Sequence, residues 1–255
     1  MRTTTLIASL LLAAAVLAAC ATTDGEERET SPRDAAAYNV QLGIAYLKQG
    51  NVQAAQEKIE RALKQNPSNP DVQTAAALLY DRMGEVDRAD RHYSAVVRMK
   101  PKDPEALNNH AIFLCRNKRV AAGQRLFAEA AASALNRTPE VAYTNAGLCA
   151  RNAGQLDEAQ RYFESALSVR PAYGDAIAQL AELHLVRGQA KEARVYVMRL
   201  LNTAPVTAEA LWLGVRVERA LGNRSNADVY AKRLKVEHPS AEQTRALIAS
   251  ERSSG

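Results

Sequence analysis

Three cysteines and four histidines are the side chains of this sequence most able to do covalent or metal chemistry. They are Cys20, Cys115, Cys149, His92, His110, His184 and His238. The histidines are dispersed, and the nearest pair of potential ligands, Glu182 and His184, would project about 200° apart on a helix. We therefore expect no catalytic residue, no metal site and no cofactor, and we interpret His184 as a core residue. Because the number of cysteines is odd, at least one needs a role outside an internal disulfide.

Cys20 lies at the end of an apolar stretch, residues 6–19, that follows Arg2. The stretch is shorter than the roughly 20 residues that a membrane-spanning helix needs, so it is typical of a secretory signal peptide. Its end, LAAC, resembles the lipobox of bacterial lipoproteins, in which the cysteine is acylated. We expect a signal peptide over 1–19, a lipid on Cys20 and a flexible polar tether over 20–35. The alternative is an ordinary signal peptide with a chance cysteine.

The composition favours a helical protein that does not bind nucleic acid, and since no enzyme constellation appears we expect no small-molecule substrate. Of the 255 residues, 47% are apolar, only 5% are aromatic and 24% are charged, which excludes a disordered chain. The net charge is +5, with basic residues interleaved among acidic ones. Because no basic stripe forms, we expect no nucleic-acid partner.

A repeat of about 34 residues governs the sequence after residue 35. Glycines recur 34, 70, 34 and 34 residues apart, at Gly50, Gly84, Gly154, Gly188 and Gly222. Small residues follow in register, at Ala55, Ala89, Gly123, Ala159, Ala193 and Ala227. This period and pattern resemble tetratricopeptide repeats, in which each unit is a pair of helices. The resemblance implies an all-α, right-handed superhelical solenoid of six repeats.

The register places the six repeats over residues 36–241, with bounds 36–69, 70–103, 104–139, 140–173, 174–207 and 208–241. A capping helix and tail are expected over 242–255, because the last unit of a solenoid needs a polar cover. Repeat 3 departs from the pattern. Lys118 stands where the other units have glycine, and two extra residues precede Pro139.

Cys115 and Cys149 fall in the first helices of repeats 3 and 4, at nearly equivalent positions. Neighbouring first helices of such a solenoid lie about 8–10 Å apart, so the two thiols can come within bonding reach. Export to an oxidising compartment makes a disulfide available. We therefore favour a Cys115–Cys149 disulfide, which would close a loop of about 35 residues across the irregular repeat. The alternative is two buried free thiols.

Three stretches resemble one family more closely than a general repeat does. The sequences ALNNHAIFLC (106–115), NAGLC (145–149) and LWLGVR (211–216), with the lipobox, are similar to the type IV pilus biogenesis/stability lipoproteins of the PilF/PilW type. The resemblance extends from residue 17 to about residue 240, and some members have cysteines in these two places. It implies a pilotin, which binds the type IV pilus secretin and promotes its outer-membrane localisation and multimerisation. Ala21, which follows the lipobox, is typical of lipoproteins sorted to the outer membrane of Gram-negative bacteria, where the chain would face the periplasm.

Solenoids of this kind bind partner segments along the concave face, which the first helices line. By register, that face carries Val40, Ile44, Leu47, Leu78, Asn108 and Ile112. The cluster of Val40, Ile44 and Leu47 is of most interest, because no preceding repeat covers it. We expect this groove to take an amphipathic segment of the secretin. The alternative is that these side chains pack against the tether or a helix edge.

Two other functions fit a helical repeat lipoprotein. One is an outer-membrane scaffold for β-barrel assembly or for regulation of peptidoglycan synthesis. The other is an enzyme such as a cell-wall hydrolase, which the dispersed histidines and the lack of a paired carboxylate site disfavour.

Overall fold

The computed structural model describes residues 31–202 and 205–253, and within these ranges it contains thirteen α-helices and no β-strand. This confirms the predicted all-α fold. The predicted signal peptide, the lipidated Cys20 and residues 20–30 of the predicted tether lie outside the described residues. Within the described ranges, no helix has the length and apolar character needed to cross a membrane.

Twelve of the helices form six consecutive pairs, one pair for each predicted repeat. The pairs are α1 (Pro32–Lys48) and α2 (Val52–Gln65), α3 (Pro70–Arg82) and α4 (Val86–Met99), α5 (Pro104–Arg116) and α6 (Val120–Ala132), α7 (Pro139–Asn152) and α8 (Leu156–Val169), α9 (Gly174–Val186) and α10 (Ala190–Leu201), and α11 (Ala208–Ala220) and α12 (Arg224–Glu237). The thirteenth helix is α13 (Glu242–Ser253), which lies in the segment predicted to cap the solenoid.

The turn inside five of the six pairs depends on a glycine in the left-handed region. These glycines have φ between 73° and 77°, a conformation that residues with a β-carbon adopt at a cost. In repeat 2, the N–H of Gly84 donates to the carbonyl of Asp81, and the N–H of Glu85 donates to that of Tyr80. These bonds satisfy the last carbonyls of α3 and start α4 directly. The equivalent residue of repeat 3, Lys118, adopts the same conformation with φ 61°.

The two helices of a pair pack closely because one contributes small residues where the other contributes large ones. In repeat 4, a β-carbon added to Gly147 of α7 would lie 2.9 Å or less from three carbons of the Phe163 ring on α8. Phe163 is completely buried, as is Ala159 one turn earlier. The recurring small residues therefore let large side chains fill the space between the helices.

The first helix begins four residues earlier than predicted. The Ser31 hydroxyl accepts a hydrogen bond from the N–H of Asp34 at 3.1 Å, and Pro32 occupies the first helical position. Serine as N-cap followed by proline is a favourable helix start, because the hydroxyl satisfies a free N–H and proline has none to satisfy. Residues 32–35, predicted as tether, belong to α1.

The pairs stack so that the first helices lie at the inner face. Each second helix packs between its own first helix and the first helix of the next repeat. First helices also contact one another across repeats, as α5 contacts α7 and α7 contacts α9. At the far end, α13 packs on α11 and α12, and its Leu247 is completely buried. The inner face is therefore formed by the first helices, and α13 covers the last repeat.

Candidate partner-binding groove

One position in the middle of each first helix forms a row along the inner face. From repeat 1 to repeat 6 it is occupied by Ile44, Leu78, Ile112, Leu148, Glu182 and Arg216. The first four are apolar, and we call them the apolar row. The last two form an ion pair between the Arg216 guanidinium and the Glu182 carboxylate. The groove is thus apolar along repeats 1–4 and charged along repeats 5 and 6.

Carboxylates mark the charged end of the groove. Glu182 lies near Glu209 at the start of α11 and Asp175 at the start of α9. Desolvation of its carboxyl group raises the pKa of Glu209, and the negative charges of Asp175 and Glu182 raise it further. Repeats 5 and 6 therefore present carboxylates together with the Arg216 guanidinium, whereas the row along repeats 1–4 is apolar.

The predicted groove residues of repeat 1 are less exposed than expected. Leu47 is only 8% exposed and belongs to a core cluster with Ile59 and Leu79. Val40 and Ile44 are half-buried and pack against the same cluster. Leu47 therefore belongs to the core, because the next repeat covers it, and in repeat 1 the groove surface is limited to parts of Val40 and Ile44.

The predicted groove residues of repeats 2 and 3 remain accessible. Leu78 is 39% exposed, and Asn108 and Ile112 are half-buried. The Asn108 amide oxygen accepts a hydrogen bond from the Asn145 side chain of repeat 4 at 2.9 Å. This bond ties the two first helices together at the groove surface and leaves the other amide groups available to a partner.

Beside the apolar row, between repeats 3 and 4, lies a cavity of about 620 Å³ that opens into the groove. Its apolar walls are Ile112, Val120, Phe127 and Leu148, with Ala153 at one side. Its polar boundary consists of Arg116, Lys118, Asn145 and Asn152. Cys115 and Cys149 complete the lining. This volume lies within the range of small-ligand sites in proteins.

Cys115 and Cys149 are joined by a disulfide in the structure. Their Cα atoms are 5.6 Å apart, which is close to the most common separation for disulfide partners. The bond links α5 to α7 and therefore couples the two repeats that enclose the cavity.

Gly123 makes room for this disulfide. It occupies the position that is alanine in the other five repeats, and an added β-carbon would overlap Sγ of Cys115 and lie 2.9 Å from the carbonyl oxygen of Ala111. The sequence pattern placed Gly123 among the small residues without separating it from the alanines. Its signal was the coincidence of a glycine and a cysteine eight residues apart in the same repeat.

The histidines His184 and His92 stack on tyrosine rings. His184 is 8% exposed, lies 2.8 Å from the amide oxygen of Gln189 through Nδ1 and stacks on Tyr196, as expected for a core histidine. His92 stacks on Tyr80, and its burial, together with the nearby cations Arg88 and Arg91, lowers its pKa.

Comparison with known proteins identifies the repeat and its relatives. Residues 46–111 and 150–213 match the family described as tetratricopeptide repeat. The chain is 27% identical over 200 residues to the type IV pilus assembly protein PilF of Pseudomonas aeruginosa, covering 78% of this chain and 79% of the relative. The crystal structure of PilW, described as a widely conserved type IV pilus biogenesis factor, superimposes with a TM-score of 0.65 at 28% identity, covering 84% of this chain and 98% of PilW. A structure of Pseudomonas aeruginosa PilF gives a TM-score of 0.62 at 25% identity, covering 86% and 99%.

Proposed function

Because this chain belongs to the tetratricopeptide repeat family and is homologous to type IV pilus biogenesis proteins, we propose that it is an outer-membrane pilotin. In this role it binds subunits of the type IV pilus secretin and promotes their outer-membrane localisation and multimerisation. The observation that carries the proposal is the apolar row, an accessible surface along four repeats of a fold whose relatives serve pilus biogenesis.

In this proposal the lipid anchor determines where the protein is located. Acylation of Cys20 attaches more than one acyl chain, which is enough for stable membrane binding where one chain is marginal. After the signal peptide is removed, the lipid on Cys20 anchors the solenoid to the periplasmic face of the outer membrane of a Gram-negative cell. A short polar tether then separates Cys20 from the N-cap Ser31.

The groove supplies the binding surface. An amphipathic secretin segment buries apolar side chains against the apolar row and keeps its polar side chains toward water. The burial of apolar area drives association, and the asparagine side chains beside the row fix the orientation of the segment. No covalent chemistry is required, so the protein acts as a scaffold.

The test is Leu78→Asp in the full-length lipoprotein. Leu78 is accessible, so the charge is tolerated by the fold while it disrupts apolar contact with a partner. We expect loss of secretin multimers from the outer-membrane fraction and loss of pili. The matched control is Val195→Asp, a 60% exposed side chain on the second helix of repeat 5, which should leave both unchanged. Normal secretin multimers in a well-folded Leu78→Asp strain would contradict binding through the groove.

Two further strains test the address and the system. Cys20→Ser should abolish incorporation of labelled palmitate and release the protein from the outer-membrane fraction. Deletion of the gene should remove pili and secretin multimers specifically. Broad envelope defects with normal multimers would instead indicate a scaffold for β-barrel assembly or peptidoglycan synthesis.

A further inference from the structure

The backbone conformation at residue 118 does not account for the presence of lysine there in repeat 3. Its φ of 61° is the only positive value among the non-glycine residues that the structure describes, and the other five repeats place glycine at this turn. A residue with a β-carbon is strained in this conformation, and such strain persists where the side chain has a use. In the described part of the chain no hydrogen bond or ion pair involves the Lys118 side chain, so an internal contact does not account for it.

The Lys118 side chain lies on the boundary of the cavity between repeats 3 and 4. The second cation there, Arg116, is already paired with Asp81 of repeat 2. The lining contains no aspartate or glutamate. The boundary of the cavity therefore includes one cation, Lys118, that no carboxylate of the lining opposes.

The cavity walls are held in place by several contacts. Phe127 is 1% exposed and fixed in the core, and the disulfide joins α5 to α7. The hydrogen bond between Asn145 and Asn108 holds the same two helices at the groove surface. A site held in this way loses little conformational freedom on binding, which favours affinity.

The cavity and the groove share two side chains, Ile112 and Leu148 of the apolar row. A segment that runs along the row therefore crosses the cavity mouth. The row continues on one side through Leu78, so the segment passes through the site and does not end there. Toward repeats 5 and 6 the row changes from apolar side chains to the Glu182–Arg216 ion pair, so the apolar side chains of a bound segment are best accommodated at repeats 1–4.

We infer that the cavity is a specificity site for an internal acidic segment of the partner protein, with one large apolar side chain inserted and a neighbouring carboxylate paired with Lys118. This inference rests on the proposed function and adds the chemistry of the bound segment. The apolar side chain contacts Ile112, Phe127 and Leu148. The partner's aspartate or glutamate lies at the mouth, and the amide groups of Asn145 and Asn152 bind its backbone.

The experiment uses an array of overlapping peptides that spans the periplasmic domains of the secretin from the same cell. Binding to the acylated full mature chain in detergent is measured by fluorescence polarisation at two salt concentrations. We expect the bound peptides to combine a large apolar residue with a neighbouring acidic residue, and binding to weaken as salt rises. Removal of the acidic residue from a bound peptide should weaken binding about fivefold, as expected for one exposed ion pair.

Substitutions at Lys118 separate binding from folding. Lys118→Gly should weaken binding about fivefold, because it removes the charge. It should also raise the melting temperature, because glycine relieves the strain of the turn. Lys118→Arg keeps the charge and should keep the affinity. The matched control is Lys48→Ala, which removes an exposed cation from the last turn of α1 and should leave the affinity unchanged.

Several outcomes would overturn the inference. Unchanged affinity in Lys118→Gly, or selection of peptides without acidic residues, would exclude the carboxylate contact. If Leu78→Asp abolished peptide binding while Lys118→Gly did not, the cavity inference would fail and the groove function would stand. If Leu78→Asp left secretin multimers intact in cells, the proposed function itself would fail. Tighter peptide binding after replacement of Glu26, Glu27 and Glu29 by alanine would identify the chain's own tether as the occupant.

Discussion

Repeats 2 and 3 are neighbours with the same architecture, and they reach it by different means. Their first helices, α3 and α5, both have 13 residues and begin with proline. Repeat 2 has glycine at its turn and alanine at the close contact between its helices, whereas repeat 3 has Lys118 and Gly123 there. Repeat 3 also has the longer connection to the next repeat, residues 133–138 against residues 100–103.

Repeat 3 lacks the glycine of the turn and the alanine of the close contact, and it has specific contacts that the pattern does not include. The disulfide links α5 to α7. In the longer connection, the Asn136 side chain donates to the carbonyl of Ala130 at 2.8 Å, and the Ser133 hydroxyl donates to the carbonyl of Lys102 at 2.7 Å. The backbone of the repeat therefore keeps its form without glycine at the turn and alanine at the close contact, where a disulfide and a hydrogen bond join it to the neighbouring repeats. Repeat 3 is also one of the two repeats that enclose the cavity.

The largest effect is expected from removal of the disulfide. Cys115→Ala with Cys149→Ala should lower the free energy of unfolding by about 3 kcal/mol, because a cross-link between residues 34 apart restricts the unfolded chain. Urea titration followed by circular dichroism measures the shift in midpoint. Reduction of the wild-type protein should give the same midpoint as the double variant. An unchanged midpoint after complete reduction would show that repeat 3 is stable without its cross-link.

The second prediction concerns the close contact between the two helices of each repeat. Replacing alanine by glycine in repeat 2 and glycine by alanine in repeat 3 should both destabilise the protein. Ala89→Gly in repeat 2 should cost about 1–2 kcal/mol, since it removes a buried methyl group and loosens the helix. Gly123→Ala in repeat 3 should cost about 1–3 kcal/mol, although alanine favours helices, because its methyl group would overlap Sγ of Cys115. Urea midpoints of both variants measure these costs.

The double-mutant cycle is the control for this contact. In a Cys115→Ala, Cys149→Ala background the sulfur is absent, so Gly123→Ala should cost less than it does in the wild type. The contact with the Ala111 carbonyl oxygen remains, so the cost should not vanish. Equal costs in both backgrounds would mean that Gly123 is required for another reason.

Comparison of the repeats shows which parts of the structure the sequence predicts. The helix pairs follow from the spacing of glycines and small residues, because those residues are required by the turn and by the contact between helices. Equivalent register does not determine exposure. Ile44 of repeat 1 is half-buried and packs on the core, whereas Leu78 at the equivalent position of repeat 2 is 39% exposed, because coverage depends on the angle and distance between packed helices.

The cavity was not predictable for the same reason. Its walls come from α5, α6 and α7, and its volume depends on how far these helices separate around the disulfide. Lys118 was recognised as a departure from the pattern, but its backbone conformation and its place at the cavity mouth required the structure. The start of α1 was predictable in principle, since Ser31 followed by proline is a helix start that was interpreted as tether.

Substitution of the turn residue should have a smaller effect on the free energy of unfolding, with opposite signs in repeats 2 and 3. Lys118→Gly should raise the free energy of unfolding by about 1 kcal/mol, because glycine adopts this conformation without strain. Gly84→Lys should lower it by about 1–2 kcal/mol, since it introduces the same strain into repeat 2 without any cross-link nearby. Scanning calorimetry of both variants measures the difference. Destabilisation by Lys118→Gly would show that the lysine makes a contact important for folding.

The smallest effect on stability is expected at Asp90, whose carboxylate joins repeats 2 and 3. Asp90 of α4 accepts a hydrogen bond from Nε2 of His110 at 2.8 Å and another from Arg119 at 2.6 Å, both in repeat 3. Partial burial acts to raise the pKa of Asp90, but these two hydrogen bonds outweigh it and lower the pKa below the usual 3.8. An aspartate with a lowered pKa stabilises the fold above its unfolded pKa, and this stabilisation is lost as pH falls through the lower folded pKa.

Asp90→Asn should therefore lower the melting temperature at pH 6 and have progressively less effect below about pH 4, where the wild-type carboxylate takes up its proton. Asp87→Asn, an exposed substitution on the same helix, is the matched control and should change the melting temperature little at either pH. A constant difference between wild type and Asp90→Asn from pH 6 to pH 2 would mean that Asp90 joins the repeats through packing, because only the charged form gains from His110 and Arg119.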